Sequence, residues 1–203
     1  MTKPDLSPEA WNSRYQSGDT PWDLAGPTPE LKRLLDEGKL PAKGRVLVPG
    51  GGRGHDAVLF AERKYEVDLV DFAPLALEAA LIEASRQKQA IFAYRQDFFD
   101  LPKLPYHAGS YDILLEYTMF CAIDPELRPA YAKAAAALLK PGGFLVGLFF
   151  PLEMHKPGPP FVVSEKEVRE LFSPSFEITI EKPQLSIKAR AGREFLGLFR
   201  RKK

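Results

Sequence analysis

From residue 45 onward, short apolar runs alternate with longer helix-forming stretches. Arg45 to Val48, Glu66 to Val70, Ile91 to Gln96, Tyr111 to Glu116 and Phe144 to Phe150 read as strands, each a run of apolar, mostly β-branched or aromatic positions. Between them, His55 to Lys64, Pro74 to Gln87 and Glu126 to Leu139 have the Ala, Leu and Glu content of helices, and Lys140-Pro141-Gly142-Gly143 stops the last. A Pro/Gly loop, Pro151 to Pro160, leads to a helix capped by Ser164 and reaching Phe172. Two strands close the chain near Phe176 to Glu181 and Glu194 to Arg200. Ahead of all this, Ser7-Pro8 and Thr28-Pro29 open two capped helices on either side of a turn-rich stretch, Gly18 to Pro29.

Strands alternating with long helices predict βαβ units around a parallel sheet. The final two strands are joined by a loop containing Gly192 and no helix, so they predict an antiparallel hairpin. The expected fold is therefore α/β. It is a doubly wound, Rossmann-like, mostly parallel seven-stranded sheet with helices on both faces, an antiparallel C-terminal hairpin and an N-terminal helical lid. One domain is expected over residues 1–203, with 1–40 as the lid and 41–203 as the core.

Composition narrows the function classes. With 28 basic and 27 acidic side chains the net charge is +1, which leaves no overall basic field for a nucleic acid or an anionic membrane. One cysteine excludes an internal disulfide framework and fits a reducing compartment. The start, Met1 to Glu9, lacks an apolar signal core, and the longest apolar stretch, Phe144 to Leu152, is far short of the ~20 residues of a membrane span. A soluble, cytoplasmic, monomeric protein acting on a small molecule is expected, with the basic run Arg200 to Lys203 read as a solvated tail. Proline is the odd component: 19 in 203 residues is about 9%, against about 5% in an average protein.

The densest chemical signal is Pro49-Gly50-Gly51-Gly52-Arg53-Gly54-His55-Asp56, at the junction of the first core strand and its helix. Glycines there let a ligand approach the backbone at the positive end of a helix. The next strand ends on Asp71, about 20 residues on, the offset at which a carboxylate reaches ribose hydroxyls. His55 occupies the place of the third glycine of the dinucleotide fingerprint, and no phosphate loop of the ATP type is present. A mononucleoside ligand fits better than a dinucleotide. Asp97-Phe98, ending the third strand, suits an adenine amine and an adenine face. Trp11, Tyr15 and Trp22 can form an aromatic lid, whose faces attract a cationic ligand. The histidines are His55, His107 and His155; no zinc cluster and no hydrolase nucleophile motif is present. His55 reads as a helix-start residue and Cys121 as buried filler.

Taken together, Trp11, Thr20-Pro21-Trp22-Asp23, the glycine loop, Glu116 to Ile123 (E-Y-T-M-F-C-A-I), Leu138 to Gly143 and Gly158-Pro159-Pro160-Phe161 resemble the thiopurine S-methyltransferase superfamily. The thiol and halide methyltransferase branch is the most similar, and the resemblance covers nearly the whole chain. It implies a class I methyltransferase that uses S-adenosyl-L-methionine and leaves S-adenosyl-L-homocysteine. It also implies that Trp11, Tyr15, Trp22, Gly50, Gly52, Asp71, Asp97, Phe98 and Glu116 hold the cofactor, and that Tyr117 and Phe161 face the methyl acceptor. The acceptor it implies is a small soft nucleophile such as a thiol, bisulfide or halide, with no obligatory catalytic base and no metal. Glu116, Phe161 and Gly51 stand where plant halide-methylating members carry Asp, Tyr and a cysteine-containing loop. A thiopurine or another aromatic thiol is the competing acceptor. The same fold would also serve a nicotinamide (NAD-dependent) oxidoreductase or a non-catalytic nucleoside-binding protein.

Overall fold

The computed structural model describes residues 3–153 and 157–203. Seven strands form one sheet in the order β3-β2-β1-β4-β5-β7-β6, and the chain divides into two compact units, residues 1–98 and 99–203.

In the first unit the strands are β1 (Arg45–Pro49), β2 (Glu66–Asp71) and β3 (Phe92–Arg95). They run parallel, with Arg45 opposite Glu66 and Asp71 opposite Arg95. Val46, Leu47, Leu69 and Val70 are at most 1% exposed, which is why these strands read as unbroken apolar runs. Asp68 interrupts the run at 0% exposure, and its cost is offset by the Arg45 guanidinium bonded to it. The helices are α1 (Pro8–Ser17), α2 (Pro29–Asp36), α3 (His55–Glu62) and α4 (Pro74–Arg86). Ser7 caps α1 through Ala10 N–H, and Gly18 ends it in the left-handed conformation, as its flanking residues predict.

The second unit holds β4 (Tyr111–Tyr117), β5 (Leu139–Phe149), β6 (Phe176–Glu181) and β7 (Phe195–Arg201), with α5 (Arg128–Leu138) and α6 (Glu165–Phe172). β4 and β5 are parallel, whereas β7 runs antiparallel to both β5 and β6. The expected hairpin is thus present. Its outer strand β6 alternates, with Phe176, Ile178 and Ile180 on the more buried face and Glu177, Thr179 and Glu181 outside. Phe120, Tyr131, Phe149, Phe172 and Phe199 pack as neighbouring rings, with the Phe172–Phe199 centroids 5.3 Å apart.

Three elements differ from the sequence pattern. Lys140-Pro141-Gly142-Gly143 is not a separating loop; β5 already begins at Leu139, and the register jumps from Tyr111–Leu139 to Ile113–Phe144, leaving these residues as a bulge. Gly142 at φ 81° makes that excursion possible within a strand. The helix expected from Glu126 begins as a 3₁₀ turn, Pro125–Leu127, capped by Asp124, and becomes α-helical only at Arg128. Phe98–Lys103 forms a 3₁₀ helix with no periodic signal to mark it.

Gly147 lies opposite Glu116 across β4 and β5, and a Cβ there would stand 2.5 Å from Glu116 Cβ and 2.8 Å from its carbonyl oxygen. Gly147→Ala is therefore expected to lose about 1–3 kcal/mol of stability, measurable by urea unfolding. An unchanged midpoint would refute this packing.

Candidate functional site

The turn leaving β1 is built on close approaches. Gly52 adopts φ 53°, and a Cβ on it would stand 3.0 Å from the Tyr15 hydroxyl; a Cβ on Gly54 would stand 2.8 Å from that of Ala80. Gly50 N–H donates to Val70 O at 2.7 Å, tying the turn to the end of β2. Gly52 N–H then donates to Asp71 Oδ2 at 3.2 Å, and Ala73 N–H to Oδ1 at 2.9 Å. The glycine turn and the acidic strand end, paired in the sequence by spacing alone, are in direct contact. Gln96 N–H donates to Asp71 O at 3.2 Å, so β3 ends beside β2. Burial raises the Asp71 carboxyl above the ordinary range, opposed by the backbone N–H groups of Ala73, Gly52 and Phe72. Asp97 is exposed just beyond β3, and Phe98, 2% exposed, opens the following 3₁₀ helix.

The three N-terminal aromatics come together. Trp22 meets Trp11 edge-on with centroids 5.4 Å apart and Tyr15 at 5.8 Å. Asn12 accepts the otherwise open N–H of Leu75 in the first turn of α4, at 3.0 Å, which seats α1 there. The Arg14 guanidinium lies 4.4 Å from the Trp22 centroid. Burial and the neighbouring Asp71 push the Tyr15 hydroxyl well above the usual tyrosine range.

Two polar clips that no sequence spacing marked fasten this segment. Asp23 stands 2.7 Å from Arg53 Nε and 3.2 Å from His55 Nε2. Thr28 donates both its N–H (2.7 Å) and its hydroxyl (2.8 Å) to Asp56. T-P-W-D and G-R-G-H-D do carry complementary polar groups, and only their partnership is invisible in one dimension. His55 does open α3, as expected, and faces Asp23 as well.

In the second unit, β4 runs into a tight turn. Thr118 takes φ 69°, a strained conformation for a β-branched residue, and Ala122 and Ile123 N–H both bond to Met119 O. Beneath the turn Glu116 is 1% exposed, with Phe120 N–H on Oε1 at 2.8 Å and the Tyr131 hydroxyl on Oε2. Phe161 N–H donates to Cys121 O at 2.7 Å, and Arg128 donates to Val162 O at 3.0 Å while pairing with Glu167 at 2.8 Å. The F-C-A-I and G-P-P-F motifs are thereby stitched together. Cys121 is 3% exposed and burial pushes its thiol up to about 12. His107 is also buried, against the Tyr111 hydroxyl, and His155 lies outside the described residues.

Tyr117 brings in a residue that no motif marked. The Arg190 guanidinium lies 4.6 Å from the Tyr117 ring centroid and 4.7 Å from that of Phe150. Arg190 is only 5% exposed, and its Nη1 finds no hydrogen-bond partner among the described residues. Its loop between β6 and β7 carried no periodicity from which this placement could be read.

A parallel βαβ sheet with a glycine turn after its first strand, a carboxylate ending the second and an antiparallel closing hairpin has the architecture of the Rossmann-like S-adenosyl-L-methionine-dependent methyltransferases. The N-methyltransferase NodS of Bradyrhizobium japonicum, solved with S-adenosyl-L-homocysteine, shares this fold at a TM-score of 0.71 and 17% identity, over 97% of this chain and 99% of that one. The family model for thiopurine S-methyltransferase matches residues 6–201, and the chain belongs to that family. It is similar to a thiocyanate methyltransferase of Brassica oleracea (38% identical, covering 94% of this chain and 84% of the relative). It is likewise similar to a probable thiol methyltransferase of Arabidopsis thaliana (37%, with the same coverage). The protein is an S-adenosyl-L-methionine-dependent methyltransferase, and an oxidoreductase activity finds no support among these relatives.

Glu116 provides a test of the buried turn. Desolvation lifts its carboxyl from an ordinary 4.5 to about 7, against the Tyr131 hydroxyl, the Phe120 and Met119 N–H groups and Arg128, all of which lower it. Across that window the unfolded chain releases a proton that the folded chain keeps, so stability falls as pH rises, by on the order of 3 kcal/mol. Glu116→Gln cannot titrate. The stability difference between the variant and the parent is expected to shift in the variant's favour from pH 4.5 to 7.5 in urea unfolding, and a constant difference would refute it.

Proposed function

We propose that the chain methylates a small, soft, anionic nucleophile: a thiolate, bisulfide, thiocyanate or halide ion. Arg190 carries this reading. A buried guanidinium beside Tyr117, with an N–H direction left open, suits an anion that needs no proton removed. The names of the Brassica and Arabidopsis relatives, a thiocyanate and a thiol methyltransferase, support the same class. A thiol of pKa about 8.5 is already partly ionised near neutrality, and halides and thiocyanate are ionised throughout, so positioning rather than base catalysis carries the rate. Cys121, buried and held as a thiol, has no part in the reading as a nucleophile.

When bound, S-adenosyl-L-methionine supplies a methyl carbon on a positively charged sulfur, open to in-line attack. The described residues suit it. Asp71 would accept ribose hydroxyls on oxygens already oriented by Gly52 and Ala73. Gly50 and Gly52 would admit the methionine part, Asp97 and Phe98 would flank the adenine, and Trp11, Tyr15 and Trp22 would present their faces to the cation. Arg14 resting on Trp22 supports that last role, since the ring already holds a positive group. Glu116, with both oxygens taken up by Phe120 and Tyr131, would serve the amino-acid end by fixing its turn rather than by direct contact. Tyr117 and Phe161 would face the acceptor.

Both units serve one methyltransferase domain in this reading, with residues 1–40 as its lid; the family match across both units supports that. We place the protein in the cytoplasm as a monomer with no nucleic-acid or membrane partner. Its near-zero net charge supports the absence of a nucleic-acid partner, and no helix among the described residues is long and apolar enough to cross a membrane.

Two measurements test the proposal. Headspace and liquid assays across bisulfide, thiocyanate, iodide, an aromatic thiol and a thiopurine should give product with the small anions, and Arg190→Gln should raise their KM by roughly ten- to a hundredfold. Product from the thiopurine alone would overturn the acceptor class, and binding of S-adenosyl-L-homocysteine without any product would overturn turnover altogether. Asp71→Ala should abolish S-adenosyl-L-homocysteine binding by calorimetry; unchanged affinity would reject the ribose assignment.

A further inference from the structure

Residues 19–27 cover apolar surface only in part, with Trp22 and Leu24 partly buried. None of them is fully buried, and α1 before them has no buried residue either. A segment of this kind rests less on burial in the core than on its local contacts. Polar contacts fix it at two points: Thr28 closes its C-terminal end on Asp56, and Asp23 holds its middle against Arg53 and His55. Arg53, His55 and Asp56 all flank Gly54, where the glycine turn becomes α3. Trp22 directly precedes Asp23, and its ring touches those of both Trp11 and Tyr15, while the Tyr15 hydroxyl stands over Gly52. One carboxylate therefore ties the Trp22 member of the triad to the turn beneath it, while Asn12 seats the helix that carries the other two.

We propose that Asp23 is a positioning residue for cofactor binding: by bridging Arg53 and His55 it holds Trp22, and with it the aromatic triad, over the glycine turn before any ligand arrives. The proposal rests on the reading that the triad faces the cofactor. With the bridge closed, the ligand meets a site already ordered and does not bear the cost of ordering it. With the bridge open, only a fraction of molecules is competent, and the apparent dissociation constant rises by the reciprocal of that fraction. The partners are specific in kind. An isosteric amide at position 23 would remove the negative charge that faces the Arg53 guanidinium, whereas a longer carboxylate would keep it.

The protein carries its own reporter, because its two tryptophans, Trp11 and Trp22, are both in the triad. In cofactor-free protein, Asp23→Asn is expected to increase acrylamide quenching of tryptophan fluorescence while far-ultraviolet circular dichroism and the melting temperature stay at parental values. His55→Ala, which removes one arm, should fall between the two, and Asp23→Glu should recover most of the protection. By calorimetry with S-adenosyl-L-homocysteine, Asp23→Asn should bind about tenfold more weakly. The KM for the cofactor should rise by a similar factor, with a smaller change in kcat. Parental quenching and affinity in Asp23→Asn would overturn the proposal, as would a variant that fails to fold, since the role would then be structural. A parent protein that does not bind S-adenosyl-L-homocysteine would instead refute the reading of the site, whereas normal parental binding with an unchanged Asn variant refutes Asp23 alone.

Discussion

The hydrogen bond from Gly52 N–H to the Asp71 carboxylate joins the two strand ends on which the first unit is organised. It requires the backbone after β1 to turn through a left-handed residue and to pass close beneath the Tyr15 hydroxyl, where a Cβ would stand 3.0 Å away. The same turn delivers Gly54 against Ala80 of α4 and sets Arg53 and the first residues of α3, His55 and Asp56, in reach of the N-terminal segment. A cluster that reads as a ligand loop thus also packs a helix and anchors a strap. An alanine at Gly52 would disturb the aromatic triad before any ligand was involved.

The second unit manages strain rather than close approach. Thr118 sits in a conformation that β-branched residues avoid, and such a residue persists only where its surroundings over-determine it. Here Glu116 holds Phe120 N–H from below, Met119 O closes the turn on Ala122 and Ile123, and Phe161 N–H bonds to Cys121 O from the neighbouring loop. The Arg128 guanidinium, 4.8 Å from the Phe120 ring centroid, ties the same loop to α6 through Glu167. A carboxylate that is costly to bury is retained because its two oxygens satisfy groups that would otherwise be buried alone.

The succession of strands along the chain, most helix starts and the hairpin were legible because they follow from local signals: apolar periods, Ser7 and Ser164 as caps, and a loop with no helix in it. The bulge at Lys140 to Gly143 was not, since Pro-Gly-Gly after a helix reads equally as a stop, and only the register with β4 distinguishes the two. Among the candidate site residues, Gly52 and Asp71 were legible by spacing, and Trp11, Tyr15 and Trp22 as an aromatic cluster beside the core. Asp23, Arg53, His55 and Asp56 were visible as motif letters without partners, because polar contacts between segments about 30 residues apart leave no periodicity. Arg190 left no trace at all. The proline excess falls partly on these places: Pro49 ends β1 at the glycine turn, and Pro21 and Pro27 bracket the clipped segment.

The environment of Arg190 also bears on which anions the proposed site would favour. A guanidinium is more weakly hydrated than an ammonium, so stacking it against Tyr117 and Phe150 strips less solvation than a buried lysine would lose. An anion that meets it there must shed its own water, and the attraction in a less polar setting repays this only when that loss is modest. Soft ions such as thiocyanate, iodide and thiolates hold water loosely. Compact, strongly hydrated ions such as fluoride do not, and a single open N–H cannot replace their shell. The aromatic faces flanking Arg190 would add contact for a large, polarisable ion and nothing for a small one. Selection for softness would then arise from desolvation at one arginine, with no base required and no pocket shaped to a single acceptor.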